Sequence, residues 1–367
     1  MATISIKNLV KEYGNVKAVK GISFDVKDGE FVALLGPSGC GKSSTMRTIC
    51  GLEQITDGAI YFDDKRIDHL RPRDRNIAMS FETYALYPTL TVYENIAFPL
   101  RSANWSDQKV DEEVRDIAKR MELESILDRL PNELSGGQAQ RVGLARALVR
   151  QKPNVFLLDE PISHLDTRQR HRMREFIKHL HLELGYTMVY VTHDQEEAMS
   201  MADRIVVMNE GTIRQIGTPD EVFNDPADDF VAGFVGEPPM NFIEGTIEQS
   251  DGRWDFKIKD QQFPLPEWVR AQGEKMPQQV KLGIRPFYID INLSEDQPYD
   301  LSGEVFIVEN MQDYTIVSVD TNDLRLQIVA SGDFRAKRHQ KVFLKFQPQF
   351  IRFFDLQTGK AIKSGEL

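Results

Sequence analysis

Two cysteines, Cys40 and Cys50, are the only ones in 367 residues. That excludes a disulfide framework and a cysteine-rich zinc site. No apolar run approaches the roughly 20 residues that a membrane-spanning helix needs. Met1 to Lys7 lacks the basic start and long apolar core of a signal peptide. The chain is therefore expected in the cytosol, meeting a membrane only by docking to something else. Basic charge is short as well: 45 Lys and Arg against 56 Asp and Glu give a net charge of −11, which argues against a nucleic-acid partner. Internal repeats and low-complexity tracts are absent. What is present, 41% hydrophobic and 28% charged residues, is an ordinary globular balance that rules out sustained disorder. The length suits two domains.

Residues 1–235 read as strands alternating with helices. The apolar runs Phe31–Leu35, Val155–Leu158 and Thr187–Val191 have the texture of strands buried on both faces. Between them, Val110, Val114, Ile117 and Met121 fall on one face of a helix over Ser106–Leu123. This alternation predicts an α/β fold with a mostly parallel sheet. The pair Pro238-Pro239 then stops any helix and marks a boundary. Beyond it, Trp254, Phe256 and Ile258, and later Leu324, Leu326 and Ile328, alternate with polar residues as strands do. Residues 236–367 are expected to form a small all-β barrel.

Gly36-Pro37-Ser38-Gly39-Cys40-Gly41-Lys42-Ser43 follows a strand pattern and precedes a helix pattern over Ser44–Cys50. In that setting G-x-x-x-x-G-K-S is a phosphate loop. Its glycines turn backbone N–H groups inward as an anion nest, and the helix adds its positive end. Lys42 supplies a charge for the β- and γ-phosphates, and the Ser43 hydroxyl a ligand for Mg2+. Asp159 and Glu160 end the run Val155–Leu158. Beside a phosphate loop, the first can hold Mg2+ and the second can orient or deprotonate a water. Leu134-Ser135-Gly136-Gly137-Gln138 precedes a helix pattern over Ala139–Arg150 and makes a second anion nest at a helix start.

The order of these three segments resembles the ATP-binding cassette family. The remaining family motifs follow in order: Tyr13, Ser163-His164-Leu165-Asp166, and His193 in Val191-Thr192-His193-Asp194. The resemblance implies a phosphate-loop α/β cassette over 1–235 with a helical subdomain near 87–150. It implies that two cassettes pack head to tail around two Mg2+-bound ATP molecules. Tyr13 would stack on adenine. Ser38, Gly39, Cys40, Gly41, Lys42, Ser43 and Ser44 would hold the phosphates. Ser135, Gly137 and Gln138 would reach ATP from the second copy, and Asp166 would lie in the loop touching that copy. Glu160 would polarise the attacking water and His193 would contact the γ-phosphate.

Phe230–Gly236, Pro238-Pro239-Met240-Asn241-Phe242 and Leu282-Gly283-Ile284-Arg285-Pro286 narrow the resemblance to importer ATPases of the maltose type, with a C-terminal oligonucleotide/oligosaccharide-fold-like regulatory domain. Those importers handle sugars, polyols and other small polar solutes. The implied partners are membrane permease subunits, a second cassette (the same chain rather than a different one) and, indirectly, a periplasmic solute-binding protein. The implied place is the cytoplasmic face of a bacterial inner membrane. Soluble cassette proteins of DNA repair or translation typically carry a long coiled coil or two cassettes per chain, and neither is here.

Three departures and two stretches complete the reading. Glu82 stands where the family has a Mg2+-ligating glutamine. A carboxylate still ligates Mg2+, but it lacks the amide donor and brings charge near phosphate. It implies either altered Mg2+ or pH dependence, or one half of an unequal cassette pair. His164 and Phe287 also differ from the usual residues and carry no mechanism. The basic stretch Arg168, Arg170, Arg172, Arg174 and Lys178 reads as a solvated helix face. Tyr84, Tyr87, Tyr93 and Phe98 read mostly as core, with some lining the groove where the family docks its membrane subunit. Glu82→Gln is expected to change ATP turnover or its Mg2+ dependence; if both stay as they were, neither reading of Glu82 survives.

Overall fold

The computed structural model describes residues 2–81, 83–150, 153–250, 253–259, 261–265, 277–321 and 324–362. It divides into two compact units, Met1–Pro219 and Asp220–Leu367.

In the first unit, β1 (Ile4–Tyr13) and β2 (Val16–Val26) form a hairpin. The buried β3 (Phe31–Leu35) leads into α1 (Lys42–Cys50). Then come β4 (Asp57–Phe62), β5 (Lys65–Arg66) and β6 (Ile77–Ser80). A helical section follows: α2 (Val92–Ser102), α3 (Asp107–Arg120) and α4 (Gly136–Leu148). The chain returns through β7 (Val155–Asp159), α5 (Thr167–Leu184), β8 (Met188–Thr192) and α6 (Gln195–Met201). It finishes with β9 (Arg204–Asn209) and β10 (Thr212–Gly217). A four-stranded antiparallel sheet, β2-β1-β4-β5, accompanies a six-stranded sheet of order β10-β9-β3-β8-β7-β6. Only the edge strand β10 runs antiparallel in the second sheet. Its inner strands β3, β7 and β8 are buried at every residue, as expected where a parallel sheet is covered on both faces.

The four aromatics expected mostly in the core are not there. None of Tyr84, Tyr87, Tyr93 and Phe98 is buried. Helix α2 turns Val92, Ile96, Ala97 and Leu100 inward, which leaves Phe98 facing out. Phe98 and Tyr87 are 42% and 40% exposed, with ring centroids 4.6 Å apart.

The boundary falls within the first turn of α7 (Pro219–Asn224), and the second unit continues with α8 (Asp229–Phe234). Its strands are β11 (Asn241–Ser250), β12 (Arg253–Ile258), β13 (Gln261–Pro264), β14 (Gln279–Ile284), β15 (Ile289–Asn292) and β16 (Leu301–Asn310). They continue with β17 (Tyr314–Thr321), β18 (Leu324–Ser331), β19 (Lys341–Phe346), β20 (Arg352–Asp355) and β21 (Ala361–Ile362). Two antiparallel sheets, β13-β12-β11-β14-β20-β21 and β15-β19-β16-β17-β18, enclose one apolar core as a nearly closed barrel. Arg285, 2% exposed, ties the barrel to its helices. It donates to the carbonyl oxygens of Phe223 and Val235, and its guanidinium lies 3.7 Å over the Phe223 ring. Burial lowers its pKa to about 10, so the group remains a cation satisfied by carbonyls where helices end. Among the described residues, no helix is long and apolar enough to cross a membrane.

Beneath the end of β8 lies a buried carboxyl. Tyr190 and Thr192 donate their hydroxyls to Glu197 Oε2 at 2.8 and 2.7 Å. Burial pushes Glu197 above its ordinary value of 4.5, and the two hydroxyls pull it back in part. A carboxyl raised in the folded state stabilises fully below its unfolded value, and that contribution is lost as pH climbs through the folded one. Glu197→Gln, which accepts the same bonds and cannot ionise, is expected to flatten the fall in melting temperature from pH 4.5 towards neutrality. An unchanged slope would show that Glu197 titrates without this cost.

Candidate active site

Neighbouring parallel strands end level and place their chemistry side by side. In the register, Leu35 at the end of β3 lies opposite Thr192, Asp159 opposite Val191, and Ser80 opposite Leu158. The residues that follow are the phosphate loop, His193, Glu160 and Phe81. Ligands of open α/β sheets bind at this carboxyl end of the strands.

The loop after β3 needs its glycines. A Cβ on Gly36 would sit 2.2 Å from the Met208 carbonyl oxygen, and one on Gly41 2.6 Å from that of Ala18. Gly39 and Gly41 have φ of 79° and 105°, the left-handed region that a side chain disfavours. Gly41 caps α1 without a side-chain bond, so first-turn N–H groups are available to an anion. Lys42, 5% exposed, folds back onto its own loop and donates to the carbonyls of Gly36 at 2.7 Å and Pro37 at 2.9 Å. Its third donor faces the Cys40 sulfur at 3.9 Å, a weak acceptor that a phosphate oxygen can displace, so the loop fixes the charge where an anion can reach it.

Ser43 donates its hydroxyl to Asp159 Oδ1 at 3.3 Å. Among the described residues no three His, Cys, Asp or Glu side chains gather as a metal site. A hydroxyl and a carboxylate are nonetheless the few hard oxygens that Mg2+ takes from protein when a nucleotide's phosphates supply others. The donor set fits Mg2+ brought in with ATP. Glu82 lies outside the described residues.

Glu160 follows Asp159 with φ of 44°, a conformation worth about 1–3 kcal/mol of strain that its surroundings must hold. Its N–H donates to the Val191 carbonyl at 3.0 Å. Its Oε1 lies at hydrogen-bond distance, 3.0 Å, from His193 Nδ1, which leaves Nε2 of His193 outside that contact. The two groups sit on adjacent strands, one able to take a proton from water and the other to face a phosphate oxygen. Arg170 of α5 braces the region by donating to the Ser163 carbonyl at 3.3 Å and to Asp194 Oδ2 at 3.2 Å. Read from sequence, Arg170 belonged to a solvated face; its partners lie across the fold, where periodicity cannot reveal them.

The other sequence-predicted residues cap helices or lie at the surface. Ser135 caps α4 in a reciprocal pair with Gln138: Ser135 Oγ accepts from Gln138 N at 3.3 Å, and Gln138 Oε1 from Ser135 N at 2.9 Å. Gly137 has Leu165 and Gln169 against it, since a Cβ there would lie 3.2 and 3.3 Å from their side chains. Asp166 caps α5 through Gln169 N at 2.9 Å. Ser38, Gly39, Cys40 and Ser44 belong to the loop and the first turn of α1, with Cys40 free and buried. Tyr13 is exposed at the end of β1, with the Lys11 ammonium 4.5 Å over its ring. Arg146 of α4 donates to the carbonyls of Tyr84 and Ala85 at 2.9 and 2.8 Å, holding two consecutive left-handed residues, φ 61° and 46°, beyond Glu82.

Comparison with known proteins agrees with this geometry. Residues 19–163 match the ABC transporter family and residues 236–286 the MalK OB fold domain. The chain is 45% identical over 379 residues to the trehalose/maltose import ATP-binding protein of Thermococcus litoralis, covering 99% of this chain and 100% of that one. It is 40% identical to an sn-glycerol-3-phosphate import ATP-binding protein of Cupriavidus pinatubonensis, with 99% and 100% covered. It is 41% identical to a sulfoquinovosyl glycerol transport ATP-binding protein of Agrobacterium fabrum, again with 99% and 100% covered. Among solved structures, a dimeric ATP-binding cassette in a post-hydrolysis state with ADP and phosphate aligns with a TM-score of 0.55 at 32% identity, covering 59% of this chain and 98% of that one. The chain belongs to the ABC transporter family, as an import-type ATPase subunit that joins the cassette to a MalK OB fold domain.

Proposed function

We propose that the chain is the motor subunit of an importer for a sugar, a polyol or a similar small polar solute. The observation that carries this is the row formed by the phosphate loop, Asp159-Glu160 and His193 at the carboxyl ends of three adjacent strands, on a chain whose full-length relatives are named for such import. The dimeric cassette with bound ADP and phosphate supports a head-to-tail pair of identical chains. In it, each ATP lies between Ser38–Ser44 of one copy and Ser135, Gly137 and Gln138 of the other, with Asp166 near the seam and Tyr13 under adenine. The exposed Tyr87–Phe98 pair lies in the groove that takes the membrane permease subunit. The pair works at the cytoplasmic face of the inner membrane, where the permease receives solute from a periplasmic binding protein.

For hydrolysis, water attacks the γ-phosphorus in line with the bond to the β,γ-bridging oxygen. Glu160 takes the water's proton, that bond breaks, and ADP leaves with the electron pair. His193 Nε2 and the Lys42 ammonium hold the γ-phosphate oxygens as charge moves across them. Ser43 and Asp159, with Glu82 from the sequence, would hold Mg2+, which would supply positive charge against the phosphates. Nucleotide sandwiching closes the pair, and hydrolysis releases it, so binding energy drives a conformational switch.

Glu160→Gln is expected to lower kcat for Mg-ATP by about 10²- to 10⁴-fold while ATP still binds, read by steady-state turnover and a fluorescent nucleotide titration. Undiminished turnover would remove Glu160 from the mechanism.

A further inference from the structure

We infer that Gln140 is a positioning residue that sets Glu160 and the following loop in place from the helix that begins at Ser135. Gln140 lies on α4, 2% exposed. Its Nε2 donates to the Glu160 carbonyl at 3.2 Å, and its Oε1 accepts from the His164 N–H at 3.2 Å. A carbonyl demands a donor and an N–H demands an acceptor, so the amide has one orientation and both its ends are used. The two contacts span the turn 160–164, which opens on the left-handed Glu160. Within that turn, Ser163 Oγ also donates to the Glu160 carbonyl, at 3.1 Å. Gln140 reaches that same carbonyl from a separate helix.

A second link runs in parallel from the same helix. Arg146 holds the Tyr84 carbonyl at 2.9 Å, and the Tyr84 ring meets the His164 ring edge-on, centroids 5.9 Å apart. His164, which the sequence leaves without a role, thus receives α4 twice, through its backbone from Gln140 and through its ring from Tyr84. Tilting α4 pulls on the Glu160 carbonyl and the His164 N–H together, so the Glu160 carboxyl follows the helix. One consequence rests on the proposed function. Ser135 to Gln138, at the start of α4, grip the ATP of the opposite site, and Gln140 follows within the next turn. Gln140 thus reaches the Glu160 turn from the helix whose start meets the far nucleotide in that arrangement.

A buried glutamine that only satisfied a polar cavity would affect stability and leave catalysis alone. Turnover of the full-length chain separates the two. Gln140→Leu loses both bonds. Gln140→Glu has nearly the same shape and keeps the acceptor for His164, but loses the donor to Glu160. Both are expected to lower kcat about tenfold to a hundredfold, the scale of a slight misplacement of a reacting group, with KM for ATP changed less than about twofold. In the Glu160→Gln background, Gln140→Leu should add less than about a further twofold in single-turnover hydrolysis, because its effect passes through Glu160. If Gln140→Leu proves too unstable to assay, Gln140→Glu carries the same kcat and KM test, alone and in the Glu160→Gln background. Wild-type kcat in the Gln140 variants, or a full multiplicative loss on top of Glu160→Gln, overturns the positioning role. Wild-type turnover that does not depend on Glu160 overturns the functional reading instead, and the inference with it.

Discussion

The site depends first on the parallel register of β3, β8 and β7. Parallel strands start and stop in step only when their hydrogen bonds are in phase. Here Leu35 pairs with Thr192, and Val191 with Asp159. A slip of one residue would send each of Asp159 and Glu160 to the face opposite its present one and part Glu160 from His193. The all-buried sequence of these strands opposes such a slip only weakly, since either face is apolar. The loops after the strands supply more of the specificity. Gly36 is pressed against the Met208 carbonyl and Gly41 against that of Ala18, so the phosphate loop fits against β9 and β2 in one arrangement.

Bonds from other elements hold the chemistry at the strand ends. Glu197 lies under Tyr190 and Thr192, Arg170 ties Ser163 to Asp194, and Gln140 ties α4 to Glu160 and His164. Each joins one element to another at the carboxyl end of the sheet. A left-handed Glu160 persists because its N–H and its carbonyl are both held.

Much of this was legible in the sequence because its signals are local. Phe31–Leu35 and Val155–Leu158 are apolar runs too short for helices, and the glycines beside them can serve turns that few other residues accept. The alternation at Trp254–Ile258 and Leu324–Ile328 gave the strands β12 and β18. Helix starts were less legible. The apolar pattern near Ala139 begins three residues after α4 does, because the helix starts on Gly136 and Gly137 under the Ser135 cap. Residues whose partners are distant in the chain were least legible. Arg170 reads as surface, and Gln140 draws no reading at all, until partners 24 and 20 positions away are in place. Tyr87 and Phe98 looked like core because composition cannot say which face of α2 is covered.

The central claim is that ATP is shared between the phosphate loop of one chain and the Ser135–Gln138 cap of a second. The direct measurement is the molar mass and hydrodynamic radius of Glu160→Gln in solution, with and without ATP and Mg2+. The account predicts an ATP-dependent compact homodimer. Where the second units already pair the chains, it predicts a smaller radius at constant mass. Neither change, with ATP demonstrably bound, would contradict a site built from two copies of this chain.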